Sequence, residues 1–372
     1  MKEENGIKRQ VTRRKFLGSA AAATALSTIP LHFRCASPNR SSFGSVQIGA
    51  ITYSFRGISG VPETLQACID SGLGSVEFMS TGIEQWAGAP VEVRAPRRQT
   101  TTQPSGMGAA PAGAPQGGAP QAGMGQGQAQ PGGGQQQQPQ LTEEEFAAQE
   151  KAAAESQAAL REWRLTDAWI AKYTELRKMY NDAGILIHIV KFSPSNWSDE
   201  EIDYAFRAAK IFGAQGVTDE LGDAAAQKLG PIAEKNGMYA IFHNHAQFGD
   251  PAFSADPMLA YSPANMLNFD IGHYYGTTGL NPCDFIEKYH DRIFSLHLKD
   301  KTGPNTEPRN TNQVWGEGET PLAEVLLLLK QHINENGWPK YGDIELEYPI
   351  PAWSTAAKEV KNCVNFARQI LI

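Results

Sequence analysis

NFDIGH, residues Asn268 to His273, and SLHLKD, residues Ser295 to Asp300, are the two stretches that decide how the chain folds. Each is a short apolar run that ends in side chains able to bind a metal or transfer a proton. Between them, Asn281–Lys288 has the pattern of a helix. Together they read as a β-α-β unit with its polar groups at the strand ends, which is where a parallel barrel places its chemistry.

The same unit recurs along the chain. Val46–Tyr53, Ser75–Phe78, Ile185–Val190, Gly216–Asp219 and Met238–Phe242 read as strands one to five. The runs ending at Asp270 and His297 are strands six and seven, and Gly342–Glu347 is strand eight. Helical segments separate them, including Pro62–Asp70 with Pro in its first turn, a segment capped by Ser198-Asp199-Glu200-Glu201, and Pro321–Asn336. Thr355–Leu371 closes the chain as a helix. Eight strands alternating with helices predict a (β/α)8 TIM barrel over residues 46–372. The alternative, a doubly wound open sheet, lacks a GxGxxG after any early strand.

Two regions stand apart. Residues 88–140 are dominated by Pro, Gly, Ala and Gln, with too few apolar side chains to offset the entropy of ordering, and are expected to be a disordered loop insertion after strand two. Residues 1–37 contain Thr12-Arg13-Arg14-Lys15-Phe16-Leu17 followed by a small-residue run to Ile29. This resembles a twin-arginine export signal, and residues 38–45 follow it as a linker. The run is too short to span a membrane. The expected location is therefore the periplasm; lipid attachment at Cys35 is disfavoured by the bulky residues before it.

With a formal net charge of −7 over 372 residues, the chain lacks the surplus of Lys and Arg that a nucleic-acid partner requires. Cys68, Cys283 and Cys363 lie in helix-like segments with no ligand spacing and read as buried thiols. A small-molecule substrate is expected, and a homo-oligomer is compatible with the sequence.

The expected strand ends carry Glu77, Glu220, His243 and His245, Asp270 and His273, His297 and Lys299, then Glu345 and Glu347. A mixed set of carboxylates and imidazoles suits a borderline divalent ion, Mn, Co, Fe or Zn, better than Mg, which prefers oxygen alone. Residues two apart on a strand share a face, so His243 and His245 point the same way, as do His297 with Lys299 and Glu345 with Glu347. One of each pair can bind metal while the other reaches substrate. His188 lies inside ILIHIV and reads as a core residue or a support for a ligand. The HNH letters at 243–245 lack the context of the nuclease motif that they spell.

In this order, D-x-G-H on strand six, H-x-K-D on strand seven, G-E-G at Gly316–Gly318 and E-x-E on strand eight resemble the xylose isomerase-like TIM-barrel superfamily. The nearest group is the sugar phosphate isomerase/epimerase type, which also takes in inosose dehydratases, ketose 3-epimerases and endonuclease IV. The resemblance covers about Val46–Leu371 apart from the insertion. It implies a metal held by Glu, Asp, His and Glu on strands five to eight. The matching positions are Asp270, His297, and Glu345 or Glu347; the strand-five glutamate has no match. Either His243 takes that role or Glu220 reaches in. His273 matches a substrate-binding histidine.

The function these readings imply is metal-dependent proton abstraction next to a carbonyl of a sugar or polyol, giving isomerisation or epimerisation. His245, Glu345 and Glu347 are candidate proton-transfer groups, and His273, Lys299, Glu77 and Glu317 are candidate substrate contacts. Loss of a β-substituent by the same route would make a lyase or hydratase acting on keto-sugars or keto-glycosides. Phosphodiester hydrolysis is opposed by the acidic charge. A non-enzymatic alternative is a secreted sugar-binding protein that uses Trp86, Trp197 and Trp315 as stacking platforms.

Overall fold

The computed structural model describes residues 40–80, 82–93, 95–96 and 142–372. The expected export signal, Cys35 and most of the low-complexity stretch lie outside the described residues.

Eight parallel strands form the barrel: β1 (Val46–Ile51), β2 (Ser75–Met79), β3 (Leu186–Lys191), β4 (Gly216–Glu220), β5 (Tyr239–His243), β6 (Asn265–Asp270), β7 (Ile293–Leu298) and β8 (Tyr341–Ile344). Each pairs with its neighbour in sequence, and β8 pairs with β1 as well as β7, which closes the sheet. The expected (β/α)8 barrel is the observed fold. A two-residue strand, Ser42–Phe43, runs antiparallel along β1 at its outer edge.

Closure explains the composition of the strands. With helices outside and packed side chains inside, β1, β5, β6 and β7 are buried at every position, so their sequences are largely apolar and their polar residues are hydrogen-bonded, either inside the barrel or, as with Asn265, to the covering helices. The helices are started and stopped by local chemistry. Ser198 accepts from the Glu201 N–H while Glu201 returns a bond to the Ser198 N–H, a capping box that opens Asp199–Phe212. Gly213 closes that helix in the left-handed region.

The structure shifts several expected boundaries. Strand one ends at Ile51, because Thr52–Phe55 turn into a single 3-10 turn. β8 ends at Ile344, so Glu345 and Glu347 follow the strand instead of ending it. β3 extends one residue further than expected and includes Lys191. An unexpected helix, Ile271–Thr278, begins directly after β6: the Asp270 side chain accepts from the His273 N–H at its start, and Gly279 closes it with φ of 71°. His273 therefore sits in the first turn of a helix.

The described residues between Val91 and Leu160 form a second unit. Within it, Thr142 Oγ1 accepts from the Glu145 N–H at 3.2 Å and Glu145 Oε2 accepts from the Thr142 N–H at 2.8 Å, a reciprocal capping pattern at the helix start. The helix, Glu143–Arg164, ends where Ile170–Asp182 begins a separate one.

Candidate active site

The C-terminal ends of β2 and β4 to β8 converge on one cluster. His243 ends β5, Asp270 ends β6, His297 sits one residue inside the end of β7, and Glu345 follows β8. One donor atom from each of these four lies within 4.8 Å of the other three, and all four residues are buried. His243 Nε2 is 3.3 Å from Asp270 Oδ2 and 3.6 Å from Glu345 Oε2. His297 Nδ1 is 2.9 Å from Glu345 Oε2 and 3.9 Å from Asp270 Oδ2. Four ligands at about 2.1 Å from one ion stand about 3.4 Å apart in a tetrahedron, and these edges scatter around that value. The donor set therefore fits a divalent ion.

The second nitrogen of each imidazole is held by another carboxylate. His297 Nε2 lies 2.6 Å from Glu77 Oε2, and His243 Nδ1 lies 3.3 Å from Glu220 Oε2. Carboxylates in this position fix the tautomer and make the opposite nitrogen a better ligand. Glu77, expected to contact substrate, does not reach the mouth. It is fully buried, and its oxygens accept from Thr218 Oγ1 and Asn268 Nδ2, both at 2.8 Å, as well as facing His297. Asn268 is in turn fixed by Ser295 Oγ, which donates to Oδ1 at 2.8 Å.

The alternatives that the sequence leaves open all stand among possible donors: Glu220 forms a second cluster with His243 and His245, and Glu347 a third with His273 and Glu345. His243 joins the four-donor set; Glu220 stands behind it, paired with Lys191 at 2.6 Å and His245 at 2.9 Å. Glu345 joins the set, whereas Glu347 lies further out, 2.6 Å from Lys299 and 3.4 Å from Asn312. Lys299 is buried among Asp270 (3.1 Å), Glu345 (2.9 Å) and Glu347, and donates to His273 Nε2 at 2.9 Å. Glu317 is on an exposed turn. Its flanking Gly316 and Gly318 instead give their N–H groups to Asp300, at 2.8 and 3.1 Å, which ties that loop to the mouth.

The charges follow from this packing. Burial opposes charge on His297, but Glu345 and Glu77 outweigh it and push the imidazole up to about 9. Burial likewise opposes charge on His243, yet hydrogen bonds that its ring donates to Asp270, Glu220 and Glu345 raise it well above the ordinary value. Burial works against ionised Glu77 too, and His297 holds it down at about 2. His273 moves the other way: burial first and then the Lys299 charge lower it well below the usual imidazole range, so it is neutral. Without metal, the protonated imidazoles, Lys299 and Lys191 offset most of the negative charge of the carboxylates.

Several working residues were not singled out from sequence. Asn244 bonds the backbone of Asp270 on both sides, through Nδ2 to its carbonyl at 3.1 Å and Oδ1 from its N–H at 2.9 Å. The signal was its place between two same-facing histidines. Lys191 is a lysine ending an apolar run. Asp343 sits two residues before Glu345 on the same face; it meets His188 Nε2 at 2.8 Å deeper in the barrel, which makes His188 a core residue with an acidic partner. Among the expected platforms, Trp197 is covered by Arg164 at 3.7 Å from its ring, Lys172 lies 4.8 Å from the Trp86 ring, and Trp315 is buried.

Fold and site together define a class: a parallel (β/α)8 barrel with a buried imidazole and carboxylate cluster at the C-terminal mouth. A solved xylose isomerase domain protein from Alicyclobacillus acidocaldarius subsp. acidocaldarius shares the barrel, with a TM-score of 0.52 and 11% identity over 87% of this chain and 99% of that one. In sequence, the chain is similar to inosose dehydratase of Clostridium botulinum (strain Alaska E43 / Type E3), 36% identical over 128 residues, which is 30% of this chain and 42% of that relative. The inosose dehydratase of Clostridium beijerinckii (strain ATCC 51743 / NCIMB 8052) is 36% identical over 76 residues, 20% of this chain and 25% of the relative. The chain thus spans less than half the length of the curated relatives it matches. No family model matches it. Among the described residues no helix is long and apolar enough to cross a membrane.

Proposed function

We propose that this protein is a metal-dependent enzyme that removes a proton next to a carbonyl of a sugar or polyol and returns it, as a sugar isomerase or epimerase does. The observation that carries this reading is the four-donor cluster of His243, Asp270, His297 and Glu345, with both imidazoles backed by carboxylates. Mn, Co, Fe or Zn bound there in preference to Mg would polarise a substrate carbonyl and stabilise the enediolate.

The remaining steps belong to the chain. His245 is about half exposed and turns Nε2 to Glu220, so its Nδ1 serves as the base and Glu220 stabilises the imidazolium that results. Glu347, part-exposed and held by Lys299, is the second proton-transfer group on the other side of the mouth. Neutral His273 orients a substrate hydroxyl, and Lys299 neutralises the carboxylates while the substrate is bound. Glu317 reaches substrate only from the rim.

A second reading is dehydration: the same base takes the proton and a β-hydroxyl leaves. The partial match to inosose dehydratases favours it. Incubating the metal-loaded protein with a panel of keto-sugars in D2O tests both. Deuterium in recovered substrate supports proton abstraction, and a new enone absorbance identifies dehydration. Neither signal on any substrate counts against the proposal.

We further propose that residues 46–372 are one catalytic domain with residues 88–140 as an insertion, and that residues 1–37 export it to the periplasm. A reporter fused to residues 1–37 that stays in the cytoplasm would sink the second part.

A further inference from the structure

The proposed reaction leaves Lys301 unused. It is only 4% exposed, and among the described residues its ammonium has no ion-pair or hydrogen-bond partner. Lysine is rarely buried to this extent without a partner, and because its Nζ is not among the fully buried polar atoms that lack one, the ammonium still reaches solvent and is open to a ligand.

Its placement follows from two contacts. A Cβ on Gly272 would lie 2.4 Å from Lys299 Cγ, and one on Gly276, a helical turn later, would lie 3.2 Å from Lys301 Cε. The two glycines therefore open one face of Ile271–Thr278 to two parallel lysine stems. Asp300–Lys301 also pairs antiparallel with Asn312–Gln313, with Asn312 opposite Lys301. Opposite residues of such a pair share a face, and Asn312 Nδ2 donates to Glu347 Oε2 at 3.4 Å, so this face looks onto the mouth. That bond also fixes the amide: Asn312 Oδ1 is buried without a partner.

The carboxylates of the mouth are already committed to Lys299. Lys301 feels those carboxylates only at a distance and pairs directly with none of them. Burial and the neighbouring Lys299 push it down to about 8, the condition of an ammonium that lacks its anion.

We propose that Lys301 is an anion subsite: it receives a carboxylate or phosphate substituent of the substrate, while Asn312 Oδ1 accepts a hydroxyl proton beside it. The assignment of the anion to a substrate rests on the function proposed above; the binding of an anion at Lys301 does not.

Calorimetry on the Mn-loaded protein with D-gluconate, inorganic phosphate and sorbitol tests it. Gluconate or phosphate should bind at least about tenfold more tightly than sorbitol, the size expected of a charge-assisted bond. Lys301→Met should remove that preference and Lys301→Arg should keep part of it. A preference for phosphate over gluconate identifies a phosphate ester, and the reverse identifies a sugar acid. Equal binding of all three probes by the wild type, no binding of any, or an undiminished preference in Lys301→Met overturns the proposal, the last because the anion would then sit elsewhere. If Lys301→Met does not fold, the wild type still decides: the lysine side-chain resonance that titrates near pH 8 must move upward in pKa with gluconate or phosphate and stay put with sorbitol. Anion binding at Lys301 without deuterium exchange on any keto-sugar would leave the subsite standing and reject the reaction.

Discussion

Glu77 holds His297 from behind: Oε2 and Nε2 are 2.6 Å apart, both residues are fully buried, and the other ring nitrogen faces Glu345 and Asp270. The orientation of the β7 imidazole nitrogen that faces the four-donor cluster is thus set by an acid on β2.

Substituting Glu77→Gln keeps the volume and removes the charge. Metal affinity should fall by about 10 to 100-fold, the usual effect of losing a carboxylate behind a ligating histidine. The His297 resonance in the metal-free protein should titrate at lower pH than in the wild type. Unchanged affinity in a metal titration would show that Glu77 is structural only.

Asp270 has two separable jobs. Oδ1 caps the helix Ile271–Thr278 through the His273 N–H at 2.6 Å, and Oδ2 faces His243. Asp270→Asn should retain the cap and lose metal, with melting little changed. Asp270→Ala should lose metal and also about 1 kcal/mol of stability through the cap. Metal retained by either variant, measured by elemental analysis, would remove Asp270 from the ligand set.

Metal uptake should release protons. With His297 at about 9 and His243 well above its ordinary value, both imidazoles are protonated near pH 7.5 without metal and must each lose a proton to ligate. Calorimetry in buffers of different ionisation enthalpy should read a release approaching one proton per imidazole. In the metal-free protein, the raised His297 contributes stability fully below about pH 6.5, on the order of 3 kcal/mol, and loses it as pH rises through about 9. Metal-free melting temperature should therefore fall across that window, and metal should flatten the fall. A flat metal-free profile would contradict the pairing with Glu77 and Glu345.

His243→Glu would place a third carboxylate against Asp270 and Glu345. An extra oxygen ligand shifts selectivity toward harder ions, so Mn and Mg should gain at least about tenfold relative to Zn in competition. Lost stability is also expected, because Glu220 then faces a like charge. No change in metal preference would place His243 outside the coordination sphere.

The barrel was legible in the chain because strand burial is written locally: an apolar run of strand length, bounded by Gly and capping residues, has few other places to go. Asp270, His297 and Glu345 were legible for the same reason, as polar groups at the ends of such runs. The helix Ile271–Thr278 was not, since IGHYYGTT is short and has no apolar stripe; it exists because Asp270 caps it and Gly279 stops it.

Sequence alone determined most of the polar groups at the strand ends and, through the two-residue periodicity of strands, which of them share a face; it did not show that Glu77 stops short of the mouth. Only the closed barrel decided which of them meet. Glu77 and His297 are 220 positions apart and touch because β2 and β7 both face the inside of a cylinder. That His243 and Glu345 join the four-donor cluster, while Glu220 and Glu347 join only the three-donor clusters beside it, turns on a few ångströms of depth along the barrel axis. Residue order cannot specify that depth; the stagger of neighbouring strands, set by the hydrogen-bond register of the whole sheet, does.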